Sequence, residues 1–157
     1  MVLWGIMLIE NFECHDTEKA LEWYQDGKLH RLDGPAVEHT EGHKFWYQNG
    51  ELHRIDGPAV EWANGNKYWY QNGLLHRLDG PAVVHPTGDK FWWQNGKLHR
   101  LDGPAVEWGD GKEWWQNGKL HRLDGPAIEY DDVKGWWIEG KQLTEEEFLQ
   151  AVNSDCV

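Results

Sequence analysis

The sequence predicts a mainly all-β protein: tandem β-hairpin repeats of 22–23 residues forming an elongated antiparallel meander sheet, closed by a short C-terminal capping helix. Three observations predict it. The block His-Arg-(Leu/Ile)-Asp-Gly-Pro-Ala-(Val/Ile) starts at His30, His53, His76, His99 and His121, at spacings of 23, 23, 23 and 22 residues. An aromatic pair precedes each block: Trp23-Tyr24, Trp46-Tyr47, Trp69-Tyr70, Trp92-Trp93 and Trp114-Trp115. Between pair and block stand Gln and then Asp-Gly or Asn-Gly, the dipeptides that supply the positive φ of a tight hairpin turn.

The elements follow in chain order. Residues 1–22 read as a degenerate half-repeat that caps the N-terminal edge. Met1 to Ile9 is apolar and predicts a buried strand. It lacks a basic leader and runs into Glu10, Glu13 and Asp16, so a signal peptide or a membrane span is not expected. Residues 23–135 hold the five repeats. Lys-Phe-Trp-Tyr-Gln at 44–48 is short and aromatic without helical spacing, and predicts one strand. Pro-Ala-Val-Glu-Trp at 58–62 predicts the next, with Pro58 where no ladder donor is needed. A second turn falls at Glu41-Gly42, Asn64-Gly65, Thr87-Gly88 and Asp110-Gly111. Asp131-Asp132 replaces it in the fifth repeat and predicts a looser turn there. Residues 136–157 begin a sixth, partial repeat at Trp136-Trp137. Thr144-Glu-Glu-Glu147 is then a capping box, predicting a helix over 144–153 that covers the last hairpin. Exposed edges of an array need such covers.

Neighbouring strands lie about 4.8 Å apart, so each repeat advances about 10 Å and five span roughly 50 Å. Alternation puts Trp23, Trp46, Trp69, Trp92 and Trp114 on one face and Tyr24, Tyr47, Tyr70, Trp93 and Trp115 on the other. Aromatic ladders on both faces predict a strongly curled sheet, a homodimer or a face covered by a partner.

Twelve residues are Trp, and the net charge is −12. Residues 1–22 and 136–157 carry −4 each, and the central 113 residues carry −4 from 13 basic and 17 acidic groups. This balance argues against a nucleic-acid backbone as partner and offers no basic patch to a membrane. The acidic ends read either as a solvated surface or as a dock for a basic partner. Cys14 and Cys156 show no Cys-x-x-Cys spacing, which fits a reducing compartment and a cytoplasmic location.

The period, the aromatic strand and turns such as Tyr47-Gln-Asn-Gly-Glu-Leu-His53 resemble MORN repeats over about residues 23–140. The usual His-Gly-x-Gly end is replaced here by His53-Arg-Ile-Asp-Gly57, a variant similar to repeats of phage and large-virus proteins. The resemblance implies an elongated hairpin sheet serving as a protein-interaction or lipid-associated scaffold, without a general catalytic role.

His, Arg and Asp recur together in every repeat. A catalytic site needs different groups converging once, whereas these lie in five equivalent settings about 10 Å apart. The row that includes His53, Arg54, His76, Arg77, His99 and Arg100 therefore reads as a structural fastener or as an anion-binding row. Each Asp is expected to accept backbone amides at its own turn, with Arg beside it. Histidines one repeat apart cannot share a metal whose ligands lie about 2 Å away, so neither a metal site nor a cofactor is expected. No nucleophile elbow or phosphate-binding loop is present, and no catalytic residue is assigned.

The positions that vary between repeats carry the remaining signal. After the Val-x pair stand His39, Trp62, His85, Trp108 and Tyr130. These read as cross-strand packing or as an aromatic wall for a ligand, together with Tyr47, Tyr70, Trp93 and Trp115. The expected function is non-enzymatic binding of a protein partner, in one version a phage-encoded inhibitor of a host defence protein acting in the host cytoplasm. The alternative is a sponge for a small nucleotide, with Trp and Tyr stacking bases and His and Arg holding phosphates.

Overall fold

A computed structural model of the protein describes residues 12–16 and 19–154. The N-terminal strand expected over residues 1–9 and Cys156 lie outside the described residues. The described residues form tandem hairpins in a fourteen-stranded antiparallel meander sheet, with strands following one another across it in chain order. The expected fold class and the C-terminal helix are both present. No helix among the described residues is long and apolar enough to cross a membrane.

Each repeat contains more pieces than the two strands read from its sequence. The stretch 44–48 is two short strands, Lys44–Phe45 and Tyr47–Gln48, interrupted at Trp46. The first belongs to the main sheet, where Phe45 pairs with Val60. The second forms a separate small hairpin with Glu51–Leu52, Tyr47 pairing with Leu52. The loop from His53 to Pro58 causes the interruption. It enters between the two partners, so the ladder changes partner at Trp46. The Trp46 N–H donates to the Ala59 carbonyl (2.8 Å), and its carbonyl accepts the His53 N–H (3.0 Å). The small hairpins also join one another. The Gly50 N–H donates to the Leu29 carbonyl and the Arg31 N–H to the Tyr47 carbonyl. A second row of hairpins thus runs beside the main sheet.

Asn49 (φ 53°) and Gly50 (φ 85°) both take positive φ, as the hairpin turn requires. The other turn explains the change of period. In the first repeat three residues, Thr40-Glu41-Gly42, close the loop, and the His39 N–H donates to the His43 carbonyl. In the fourth, Trp108 pairs directly with Gly111, leaving only Gly109-Asp110 as the loop. One residue is lost, and the spacing falls from 23 to 22.

The fifth repeat does not have the looser turn expected from Asp131-Asp132. Tyr130 pairs with Val133 across a tight two-residue loop, and Asp131 itself takes φ 46°. Interaction with the Asp110 carboxyl group of the neighbouring turn raises the Asp131 pKa, and the same interaction lowers that of Asp110.

The core is narrow and made of small residues. Ala36, Ala59, Ala82, Ala105 and Ala127 are 0% exposed, each standing between the repeat's proline and the first residue of a strand, with Val37, Val60, Val83 and Val106 buried beside them. Strand Phe12–Asp16 pairs with Ala20–Gln25 before the first repeat. After the last, helix Glu145–Ser154 starts at the expected capping box: the Glu147 N–H donates to Thr144 Oγ1, and the Thr144 N–H donates to Glu147 Oε2. The helix buries Phe148 against Trp136, ring centres 4.8 Å apart.

Candidate functional site

The two faces of each repeat carry different chemistry, because Trp46 and Tyr47 are neighbours in an extended chain and point opposite ways. The tryptophan face is a fastener. Arg54 lays its guanidinium over Trp46, 4.1 Å from the ring centre. Nε donates to Asp56 Oδ1 (2.9 Å), and Nη1 donates to the Pro58 carbonyl (3.2 Å) and to Glu61 Oε1 (3.3 Å). The backbone of Gly57 closes the other side, since a Cβ there would stand 2.8 Å from Cζ. The same stack recurs as Arg31 on Trp23, Arg77 on Trp69, Arg100 on Trp92 and Arg122 on Trp114. Each arginine thus locks its own loop onto its own tryptophan.

His53 Nδ1 accepts the Asn72 N–H (3.2 Å) and so links one repeat to the turn of the next. His76 does this for Asn95, and His99 for Asn117. The guanidinium also holds the carboxyl of each loop Asp below the usual carboxylate range, first by the hydrogen bond and then by charge, helped by the aspartate's own amide. Six of the candidate residues, His53, Arg54, His76, Arg77, His99 and Arg100, are therefore engaged with their own fold. Among the described residues no three His, Cys, Asp or Glu side chains converge on a metal-sized site.

The opposite face is aromatic. Val60 lies between Phe45 and Tyr68 in register, so one buried valine carries a ring on each side. Around it Phe45, Tyr47, Leu52, Trp62, Tyr68 and Tyr70 line a groove of about 480 Å³. Trp62 stands at this groove 40% exposed, with its ring edge-on to Phe45 (5.4 Å) and His43 (4.8 Å). Burial raises the pKa of the Tyr47 and Tyr70 phenols, and the neighbouring tyrosines raise Tyr70 further. Three of the candidate residues, Trp62, Tyr47 and Tyr70, thus meet in one place.

The other variable positions continue the row without joining that groove. His39 packs on Phe45 (5.6 Å), and His85 packs on Tyr68 and Phe91. Trp108 lies over Gly111 with Tyr130 beside it: a Cβ at Gly111 would come within 2.9 Å of Tyr130 Cδ2. Tyr130 is 46% exposed. Trp93 and Trp115 hold the positions of Tyr47 and Tyr70 in their own hairpins, paired with Leu98 and Leu120. The Trp115 N–H donates to the Glu113 carboxylate, a residue standing where other repeats have a ring.

Leu32, Ile55, Leu78, Leu101 and Leu123, between Arg and Asp of the block, are 55–80% exposed. They form a row of apolar side chains on the loops, on the tryptophan side. The loop is held by Arg, Asp and Pro, so the intervening side chain has nothing left to pack on. Neither the family models nor the curated proteins compared with this chain gave a match.

Proposed function

We propose that this protein is a non-enzymatic binding scaffold that grips a protein partner on the aromatic face of its sheet, with Trp62 as anchor. The observation that carries the reading is the exposure of the Trp62 ring at the mouth of a groove made of six other aromatic and aliphatic side chains around it. Large, pre-positioned, partly desolvated aromatics are the residues that dominate binding energy at interfaces. Trp108 and Tyr130 extend the same face toward the C-terminal end. The MORN-like variant repeat, similar to those of phage and large-virus proteins, gives the partner a class: a host defence protein, inhibited by occupation in the host cytoplasm.

A nucleotide sponge draws less support from the same geometry. The groove that could stack a base has Asn66 as its one amide-bearing wall, and no arginine lines it. The arginines sit on the other face with their guanidinium groups stacked and hydrogen-bonded. The experiment is capture from a lysate of the infected host on immobilised wild-type protein, Trp62→Ala and Trp108→Ala, alongside thermal shifts with a panel of nucleotides. A protein retained by wild type and lost with Trp62→Ala supports the reading. A nucleotide that raises the melting temperature of wild type, with no protein retained, replaces it with the sponge.

A further inference from the structure

We infer that the loop row on the tryptophan face is a second binding surface, built for a basic polypeptide in the polyproline II conformation lying along the array. Consecutive loops enclose four equivalent grooves of about 330–560 Å³. Each is walled by two of the exposed aliphatic side chains and two loop aspartates, with a Gln and a His of the next hairpin inside. In the largest these are Leu78, Leu101, Asp79, Asp102, Gln94 and His99.

Two features of this row have no use in the fold. The first is the apolar residue, kept in all five repeats although it stands 55–80% exposed. The second is the glutamine. Gln48, Gln71, Gln94 and Gln116 each reach into one groove, and among the described residues none of these side-chain amides makes a hydrogen bond. A repeat that holds an idle donor–acceptor group at every copy, beside an idle apolar group, presents a regular lattice of contacts to something outside the chain.

Spacing and charge select the occupant. The grooves recur every two strands, roughly 9.6 Å, while a polyproline II chain turns once every three residues in roughly 9.3 Å. Such a ligand shows the same side every third residue, in step with the grooves. A β-strand of the same length alternates sides and falls out of step. A polyproline II backbone makes no internal hydrogen bonds, so its carbonyls need donors, which the glutamine amides offer. The ridges of Leu32, Ile55, Leu78, Leu101 and Leu123 then fit between its turns. Each loop arginine is paired with its aspartate and, in four of the five repeats, with a glutamate as well, so the loops keep a net negative charge that favours Lys or Arg at every third position. The same carboxylates, and a net charge of −12, oppose a second copy of this chain on the row.

The test is fluorescence anisotropy with a labelled peptide of Pro-Lys-Pro triplets, long enough for about five turns. It should bind, and more tightly than the same peptide cut to two triplets. A Pro-Glu-Pro peptide and a flexible Gly-Lys-Gly peptide of equal length should each bind at least about tenfold more weakly. Leu78→Ser and Gln94→Ala should weaken binding without lowering the melting temperature, because Leu78 is 75% exposed and the Gln94 amide makes no hydrogen bond within the fold. Trp62→Ala should leave it unchanged, which separates this surface from the aromatic face. Equal binding of the Lys, Glu and Gly peptides, or no binding, overturns the inference. So does self-association by sedimentation that Leu78→Ser abolishes, which would assign the row to a second copy.

Discussion

The Phe148 ring lies 4.8 Å from Trp136, in the place where the five preceding tryptophans of the row carry an arginine. Thr144 stands eight residues after Trp136, where the repeat would have Arg, and the helix that begins there brings Phe148 instead. The cap therefore ends the array by replacing a polar stack with an apolar one. Phe148 is 3% exposed. Phe148→Ala should cost about 3 kcal/mol in urea denaturation, the usual range for a buried Phe, and expose the last hairpin first in hydrogen exchange. Unchanged stability would mean that the helix is not a cap.

The arginine stack yields a steric expectation. Gly57 does not need positive φ, yet a Cβ there would meet the Arg54 Cζ at 2.8 Å. A free guanidinium could step aside. This one is held by Trp46, Asp56, Pro58 and Glu61 at once. Gly57→Ala should destabilise the protein by about 1–2 kcal/mol, the scale of a lost cation–π contact plus one hydrogen bond. Arg54→Lys should cost a similar amount, because a lysine cannot donate in three directions from one plane. Chemical denaturation of both variants checks this.

The third repeat departs from the others in a way that can be repaired. Val84 stands where the neighbouring repeats have Glu61 and Glu107, so Arg77 bonds Asp79 and Pro81 but no glutamate. Lys67 and Lys90 face Val84 from the two adjoining strands. Val84→Glu should therefore stabilise the sheet by up to about 1 kcal/mol, with a gain that shrinks in high salt. Glu61→Val should do the reverse.

Acid should loosen the loops together. Arg31, Arg54, Arg77, Arg100 and Arg122 each lower the pKa of the aspartate two residues on, first through a hydrogen bond. A carboxyl group whose folded value lies below its unfolded value contributes stability that is present above about pH 4 and lost as pH falls through the lowered value. Asp131 has the opposite sign: its raised value makes its contribution one that fades as pH rises through it. Denaturation midpoints should thus fall as pH drops below about 4, and Asp79→Asn should flatten that fall. An equal slope in wild type and Asp79→Asn would remove the ion pair from the stability of the loop.

Much of this architecture was legible in the sequence because the repeat states it five times. Period, Asn-Gly turns and the Thr144–Glu147 capping box each have a local physical meaning that needs no tertiary context. The arginine stack was not read, although Arg follows Trp by eight residues in every repeat: the contact depends on a loop folding back, which no strand or helix periodicity describes. The same loop splits the strand at Trp46. Its apolar residue cannot be told by type from the apolar residue of the neighbouring strand, and only burial separates Ile55 from Leu52. On the aromatic face the variable positions 39, 62, 85, 108 and 130 were marked by type alone. That Trp62 joins Tyr47 and Tyr70 while Trp108 lies over Gly111 follows from turn lengths that differ by one residue.

The aromatic face is tested most directly by the affinity of the captured partner for wild type, Trp62→Ala and Trp108→Ala, measured with each protein's melting temperature. Truncating a desolvated aromatic anchor costs about 2–4 kcal/mol of binding, roughly 30- to 1000-fold in affinity. Trp62→Ala should lose that much while Lys97→Ala, on an exposed turn, loses almost nothing. Wild-type affinity in both Trp variants, with only an earlier melt, would make these rings packing and leave the aromatic face without a partner.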